Sequence, residues 1–580
     1  MNAAASRTRA TRRPTPFKIA SLAVITVVAV VVAYPFVRVV WRLFWVDGAP
    51  SVDPVERAFT APGVGELVRD STLIVAVAGA CAVVIGSLLA WLNERTDARI
   101  RGLTDVVPLM PFLLPSIAMA IGWTLLLSPR AGLLNVWLRD LLGLAGIEIE
   151  TGPLNIFSIH GMIFCYFIVL VPYVFLFVSA GLRNMPGDLE EQARVAGAGS
   201  AGTFWRITLP GLKPSIAAAS VIVVWFGFAM FSIPLIIGTP AGIDVLTVRI
   251  VRLINFTYPP RTDLAVSLSL FILVIVGGAW ALQVRIMKSG MFVQVGGRGA
   301  HASTVRLGRL RWPARAFIAG FLVVSGILPV LGLLITALNG FWTPNIHWGD
   351  LGFDSFRRVS EDELTVSAFG NSLLLGAVAG TGIIMFAALM AVHVRRDGGV
   401  VTRLLEAAIR LPIVVSGFIV IVGMILAYSG PPFELQGTFV LFVVAYMATS
   451  IPQASIVSDA AAAQVSDDMV EAASVSGAGD GRIFGRVQLP LMAPGLVAGW
   501  TLVFVNITGD MEVASMLASS RQPVVGFQLL DTYNKGEFAD LAAMALMLVL
   551  ITTLCVLIGT GLGRRLSGRS ERRVRTARNK

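Results

Sequence analysis

The chain has 580 residues, of which 56% are hydrophobic and only 14% charged, and its mean hydropathy is +0.78. Soluble domains carry about a quarter of charged residues, so the composition excludes an ordinary soluble protein and indicates a polytopic membrane protein. The net charge of +11 would suit a nucleic-acid partner, but the positions of the basic residues favour another interpretation.

Twelve apolar segments of roughly 20 residues are long enough to span a bilayer. Helices of this length satisfy their own backbone polar groups in lipid. We therefore predict an all-α polytopic membrane bundle. The predicted spans are 18–42, 71–92, 106–127, 160–182, 214–238, 263–286, 315–338, 371–393, 407–429, 437–459, 495–518 and 540–563.

Two basic tails, residues 1–17 and 564–580, flank the predicted spans. Placing both termini in the cytoplasm puts most of the lysine and arginine on the cytoplasmic side, as the positive-inside rule requires. The tails are therefore interpreted as orientation signals that contact lipid headgroups, and no nucleic-acid partner is expected. The first apolar run is too long for a signal-peptide core and is expected to remain as a span.

The predicted spans form two groups of six. The segment "STLIVAVAGACAVVIGSLLAWLNERTD" (71–97) aligns with "NSLLLGAVAGTGIIMFAALMAVHVRRD" (371–397). Because each group contains an even number of spans, both groups enter the membrane in the same orientation, which makes a parallel repeat about a pseudo-twofold axis. The predicted domains are a first repeat (18–286), a Gly-rich basic linker (287–314) that is expected to be flexible, and a second repeat (315–563).

Each repeat contains one polar loop, residues 183–213 in the first and 460–493 in the second. Within these loops, "EQARVAGAGSAGTFWRITLP" and "EAASVSGAGDGRIFGRVQLP" are identical at ten of twenty positions. The pattern predicts a short helix with acids in its first turn, a glycine break, and an amphipathic run that ends in Leu-Pro. Such a helix–turn–helix on the cytoplasmic face would let a partner approach closely. The alternative is an amphipathic helix that rests on lipid. The candidate docking residues are Glu191, Ala193, Gly197, Leu209, Pro210, Glu471, Ala472, Ala473, Gly477, Leu489 and Pro490.

The doubled loop resembles that of binding-protein-dependent ABC importer permeases. The similarity consists of Glu-x-Ala, a glycine six residues after the Glu, and a hydrophobic-x-Leu-Pro ending, with Gln192 at a position where the family usually has Ala. It covers nearly the whole chain and implies two fused permease repeats of the type I, MetI-like fold in a bacterial plasma (inner) membrane. The implied partners are two cytoplasmic ABC ATPase subunits, one at each loop, and an extracytoplasmic solute-binding protein.

Segments such as "PLNIFSIHGMIF" resemble the ferric-iron subgroup of these permeases, whose close relatives carry thiamine, polyamines or phosphonates. Ferric iron is therefore the expected substrate, and the other three are the alternatives. A proton- or ion-coupled secondary transporter of the six-plus-six type has similar hydropathy, and only the doubled loop separates it from an ABC permease. A pore or scaffold that does not pump is a third class.

The chain lacks a phosphate-binding G-x-x-x-x-G-K-[ST] motif and a soluble stretch long enough for an ATPase domain. We expect a transport subunit that is not itself an enzyme and holds no cofactor, with ATP and Mg²⁺ bound by the partner ATPase subunits. The four histidines and three cysteines are scattered, so no metal site and no catalytic set are expected.

The eleventh predicted span, "FVNITGDMEVASML", contains Asn506, Asp510 and Glu512. Ionisable groups within spans are functional candidates. Counting from Pro494, Asp510 lies roughly 24 Å along the helix, beyond the bilayer middle toward the outer face. These three residues are the candidate substrate path, and Glu512 matches an acid common in the iron-type permeases that the chain resembles. The alternative is that the span ends early and the three side chains lie in an outer loop.

Overall fold

The computed structural model describes residues 15–578 except 47, 101–103, 105–106, 186, 256, 260, 289–303, 344–345, 397–398, 411, 413–416 and 520. The described residues form an all-α bundle, in which a two-residue strand pair, Trp45–Val46 with Ala49–Pro50, is the only sheet. This confirms the predicted fold class. Much of the predicted linker (residues 289–303) and the start of the first basic tail (residues 1–14) lie outside the described residues.

Ten helical segments of the described chain are long and apolar enough to cross a membrane, and one of them, Gly308–Asn339, continues through a π-helical turn at Val323–Ile327 that divides it in the list below. The helices are α1 (Pro16–Phe44), α2 (Asp53–Thr60), α3 (Val64–Arg95), α4 (Met110–Leu113), α5 (Ser116–Leu127), α6 (Leu133–Leu144), α7 (Ile159–Asn184), α8 (Gly187–Val195), α9 (Ser200–Thr203), α10 (Leu209–Ala229), α11 (Leu246–Asn255), α12 (Thr262–Lys288), α13 (Arg311–Leu322), α14 (Leu328–Asn339), α15 (Asp354–Glu361), α16 (Glu363–Arg396), α17 (Val400–Arg410), α18 (Gly417–Tyr428), α19 (Phe439–Ala463), α20 (Asp467–Val475), α21 (Asp480–Ile483), α22 (Leu489–Thr508), α23 (Glu512–Leu517), α24 (Val525–Lys535) and α25 (Phe538–Arg578).

The third predicted span, 106–127, is wrong as a continuous span, and residues 411 and 413–416 of the ninth, 407–429, lie outside the described residues. The longest described helices within these two spans are α5 and α18, and each has 12 residues, which is too short to cross a bilayer by itself. Proline explains the break before α5, since Pro115 has no backbone N–H and forces the preceding residue away from helical geometry. Hydropathy records how apolar a segment is and does not record whether its helix is continuous.

The fifth and eleventh predicted spans, 214–238 and 495–518, also end earlier than expected. Their helices, α10 and α22, stop at Ala229 and Thr508, and a short irregular stretch follows each of them. The predicted second basic tail behaves differently, because α25 continues through it to Arg578. Apolarity alone therefore placed most spans correctly and misplaced several helix ends.

The first long helix of each repeat packs against the opposite repeat. In the first repeat, α1 contacts α18. In the second repeat, α14, which continues from α13 through the π turn, contacts α5. Both crossings place a glycine against a proline: a Cβ atom on Gly423 would lie 3.1 Å from the Pro35 carbonyl oxygen, and one on Gly122 would lie 2.6 Å from the Pro329 carbonyl oxygen. Glycine permits this close backbone approach because it has no side chain. The two repeats are therefore interlocked.

Replacing Gly122 with valine should destabilise this interlocked bundle. The new side chain would overlap the α14 backbone, and overpacking of this kind costs about 1–3 kcal/mol. Gly320→Val is the matched control, since Gly320 lies in α13 with no heavy atom within 4 Å of its would-be Cβ. Thermal unfolding of the detergent-solubilised protein measures both variants. Equal melting temperatures for the two would contradict the assigned crossing.

Candidate functional site

The first polar loop contains a helix, α8, that ends in a sharp turn at Gly197. The Gly197 N–H donates to the Arg194 carbonyl (3.0 Å), and the Ala198 N–H donates to the Ala193 carbonyl (2.9 Å). This pair of bonds is a Schellman motif, which requires a left-handed residue, and Gly197 has φ +88°. Glycine adopts that conformation without the Cβ penalty of other residues.

The second polar loop repeats the same turn after α20. The Gly477 N–H donates to the Ser474 carbonyl (3.1 Å), the Ala478 N–H donates to the Ala473 carbonyl (3.1 Å), and Gly477 has φ +80°. The predicted helix and glycine turn are thus present in both loops. The candidate acids, Glu191 and Glu471, are exposed.

An exposed valine precedes each turn, and sequence reasoning missed it. Val195 and Val475 occupy equivalent positions and are 90% and 89% exposed. The available signal was their identity in the two copies, "RVAGA" and "SVSGA". The two turns therefore leave an apolar side chain exposed at the same position in both repeats.

Each Leu-Pro ending follows a single π-helical turn. The Leu209 N–H donates to the Phe204 carbonyl, and the Leu489 N–H donates to the Phe484 carbonyl, five residues back in both cases. The wider turn makes room for Pro210 or Pro490, whose ring would otherwise clash with the carbonyl four residues earlier. The loop thereby continues into α10 or α22 without a break.

A buried ion pair attaches the first polar loop to the bundle. The Arg95 Nε atom lies 3.4 Å from Glu190 Oε2, and the two side chains are 2% and 4% exposed. The Thr208 hydroxyl donates to Glu190 Oε1 (2.8 Å), and Arg95 Nη2 donates to the carbonyls of Leu182 (2.7 Å) and Met185 (3.0 Å). Arg95 therefore connects the ends of α3 and α7 with α8.

The second polar loop has no matching acid. Val470 stands at the position equivalent to Glu190, and Arg395 stands at that of Arg95. Arg395 donates to the Ala462 carbonyl and lies 4.0 Å from Asp467, whose side chain is 89% exposed. Sequence reasoning singled out Glu191 and missed the buried Glu190. The arginine shared by the two aligned 27-residue segments was the available signal.

Asn506, Asp510 and Glu512 line one cavity of about 210 Å³ between the two repeats. α22 ends at Thr508, and Asp510 Oδ2 then accepts from the Val513 N–H (2.8 Å) at the start of α23 and from the Tyr446 hydroxyl (3.2 Å). The span thus ends early, as the alternative held, yet the acids face an internal cavity.

The first repeat supplies an aromatic wall to the same cavity. The Tyr173 and Phe226 rings stack with centroids 4.0 Å apart, and Phe112 meets Tyr173 edge-on at 4.9 Å. Among the described residues that line the cavity, Asp510 and Glu512 are the two with carboxyl groups. The cavity is therefore aromatic on the side of one repeat and acidic on that of the other.

The acids of the cavity form a pair and not a larger cluster. Within the part of the chain that the structure describes, no group of three or more His, Cys, Asp or Glu side chains is arranged to hold a metal ion. Amide and hydroxyl groups supply further oxygen atoms nearby: Asn506 Nδ2 donates to Gln453 Oε1 (2.9 Å), and Thr449 and Ser450 also line the cavity.

Comparison with known proteins gives matches along most of the chain. The family described as "Binding-protein-dependent transport system inner membrane component" matches residues 82–286 and again residues 380–572. The ferric transport system permease protein FbpB of Actinobacillus pleuropneumoniae is 21% identical over 93% of this chain and 77% of its own length. The Fe(3+)-transport system permease protein FbpB 2 of Haemophilus influenzae is 22% identical over 94% of this chain and 98% of its own length.

A solved structure of a bacterial alginate ABC transporter, in complex with a periplasmic protein bound to an alginate pentasaccharide, has a weaker likeness. It is 16% identical, covers 44% of this chain and 96% of that chain, and has a TM-score of 0.36.

Removing the Glu190 carboxylate should destabilise the first polar loop. Glu190→Ala leaves the Arg95 charge buried and uncompensated, and breaking a buried pair in this way costs about 3–5 kcal/mol. Glu191→Ala is the matched control, since the neighbouring acid is exposed. Thermal unfolding and limited proteolysis within residues 187–208 measure the effect. If both variants behave alike, the ion pair does not support the loop.

Proposed function

The chain belongs to the family of binding-protein-dependent transport system inner membrane components, and on this premise we propose that it serves an ABC importer by supplying both permease halves from one polypeptide. Substrate is delivered by an extracytoplasmic binding protein. ATP and Mg²⁺ are bound by two separate ATPase subunits in the cytoplasm. The chain lies in the bacterial inner membrane with both basic termini in the cytoplasm, as the positive-inside rule favours.

One observation carries the docking proposal: the two polar loops have the same backbone turn at equivalent positions. A lipid-resting helix needs an apolar face, but it does not need an identical Schellman turn with an outward valine in both repeats. Two equivalent loops suit two copies of one ATPase. We assign docking to the residues around Gly197 and Gly477, with Glu191, Ala193, Glu471, Ala472 and Ala473 on the docking helices.

The cavity between the repeats is proposed as the substrate path. It is built from both repeats, as a path between two halves that move against each other requires. Asp510 and Glu512 provide carboxyl oxygen atoms, which suit a hard cation such as Fe³⁺. Ferric iron is the proposed substrate, and two relatives that match most of the chain bear ferric transport in their names.

The aromatic wall favours one alternative substrate class. Faces of Tyr, Trp and Phe attract organic cations, and the stacked rings of Tyr173 and Phe226 lie in the same cavity as the two acids. Thiamine or a polyamine would therefore fit the same chemistry. A phosphonate fits less well, because its negative charge would meet two carboxylates.

Distorting both turns should prevent ATPase docking. Valine at positions 197 and 477 cannot adopt a positive φ without strain of about 1–2 kcal/mol per residue, so Gly197→Val with Gly477→Val should lower ATPase recovery roughly tenfold and abolish uptake. Asparagine tolerates the left-handed region, and the double Asn variant is the matched control.

ATPase pull-down and substrate uptake at equal membrane expression measure both double variants and each single variant. We expect each loop to contribute, with unequal weight. Normal docking and uptake in the double Val variant would show that the loops rest on lipid. Uptake that survives loss of the ATPase and stops with a proton uncoupler would favour the secondary transporter.

Neutralising the cavity acids should reduce cation uptake. Asp510→Asn and Glu512→Gln remove the two carboxyl groups that line the cavity, and we expect uptake of radiolabelled iron to fall roughly tenfold or more. Glu361→Gln is the control, since that acid lies in α15 with 63% of its side chain exposed. Parallel assays with thiamine, a polyamine and a phosphonate identify the substrate. Preference for an organic substrate would overturn the iron assignment.

A further inference from the structure

One short segment lies at the start of the first long helix of the first repeat, and another lies just before that of the second repeat. The first lead segment is residues 15–18, at the start of α1, and the second lead segment is residues 304–307, just before α13. Because α1 and α14 pack on the opposite repeat, each lead segment reaches the polar loop of the repeat to which it does not belong.

The second lead segment pairs with the end of α3 beside the first polar loop. The Val305 N–H donates to the Arg95 carbonyl (2.7 Å), and the Asp97 N–H donates to the Val305 carbonyl (3.2 Å), which makes a short parallel bridge. Asp97 Oδ1 accepts from the Leu307 N–H (2.9 Å). A stretch that was expected to belong to a flexible linker is therefore held by specific backbone bonds.

The same segment also contacts the loop itself. Arg194 of α8 donates from Nη1 to the Thr304 carbonyl (3.4 Å). Val305 also lines a small space whose other lining residues belong to the loop and to the end of α3: Trp91, Glu190, Arg194, Thr203, Phe204 and Thr208. Val305, which precedes the first helix of the second repeat, therefore lines the same space as the buried Glu190.

The first lead segment contacts the second polar loop through different chemistry. The Phe17 and Phe484 rings lie 5.6 Å apart, and the Thr15 hydroxyl donates to Asp480 Oδ2. Asp480 also pairs with Arg396 at the end of α16 (3.3 Å). Here the loop is attached through α21 and the π turn, whereas the first loop is attached through α8.

We propose that each lead segment positions the polar loop of the opposite repeat, so that every docking loop is held by residues of both repeats. Phe17 and Val305 are the principal positioning residues. The inference rests on the proposed docking function only for its consequence, which is that a movement imposed on one loop reaches both repeats. The attachment of each loop can be measured on this chain alone.

Hydrogen–deuterium exchange of the full chain in nanodiscs tests the attachment. Phe17→Ala removes the aromatic pair with Phe484 and should speed amide exchange in residues 480–488 by roughly fivefold, without changing residues 187–208. Val305→Gly should speed amide exchange in residues 187–208 and leave residues 480–488 unchanged. The matched controls are Ile19→Ala, 56% exposed on α1, and Arg306→Ala, an exposed neighbour of Val305; neither should alter either loop.

Unchanged exchange in the opposite loop, or equal loosening of both loops, would overturn the inference. If Phe17→Ala does not accumulate, Phe17→Leu keeps the apolar volume without the ring, and it is read in the same way.

A second measurement separates this inference from the proposed function. With the ATPase and binding protein present, the two lead-segment variants should retain ATPase binding but lose most of the stimulation of ATP hydrolysis by loaded binding protein. Suppose each lead-segment variant speeds exchange in the opposite loop while the Gly197 and Gly477 variants bind the ATPase normally. This result would contradict the docking function and support the positioning role. If the wild type binds the ATPase and neither lead-segment variant speeds exchange in the opposite loop, the positioning role alone is contradicted.

Discussion

Two contacts, each between a glycine and a proline, join the two repeats. The positions of the polar loops and of the cavity depend on the helix crossings that these contacts permit. Gly122 against Pro329 and Gly423 against Pro35 bring the helix backbones together. These crossings carry the first long helix of each repeat onto the other repeat. They place residues 15–18 and 304–307 beside the opposite polar loops, and one helix of each crossing, α5 or α18, contributes residues to the cavity lining. Without a residue that lacks Cβ at each crossing, the helices could not approach so closely.

The two repeats share a backbone plan and differ in the side chains that complete it. The Schellman turns at Gly197 and Gly477 have the same hydrogen bonds, whereas the buried Glu190 has only Val470 at the equivalent position. The cavity follows the same principle, with aromatic rings from the first repeat facing acids from the second. Two repeats encoded in one chain can differ in this way, because each position is specified separately.

The membrane class, the duplication and the turn glycines could be predicted because each is a local property. Composition identified the apolar spans, and the identical residues around Gly197 and Gly477 located the two turns. The segment that contains Pro115 was predicted less well. Residues 106–127 are as apolar as a span, but Pro115 interrupts their helix, and the 12 residues from Ser116 pack inside the bundle. Hydropathy averages cannot distinguish a buried half-helix from a helix that crosses lipid.

The sequence by itself determined an all-α membrane protein of two parallel repeats, each with one polar loop of defined length, and it identified Asn506, Asp510 and Glu512 as unusual groups in an apolar segment. The tertiary structure alone decided that these three residues face a cavity between the repeats, that Glu190 meets Arg95, and that Phe17 and Val305 reach the opposite loops. The physical reason is distance along the chain. Helix periodicity and turn chemistry act over a few residues, whereas Phe17 meets Phe484 only because two helices cross, and a crossing depends on the packing of the whole bundle.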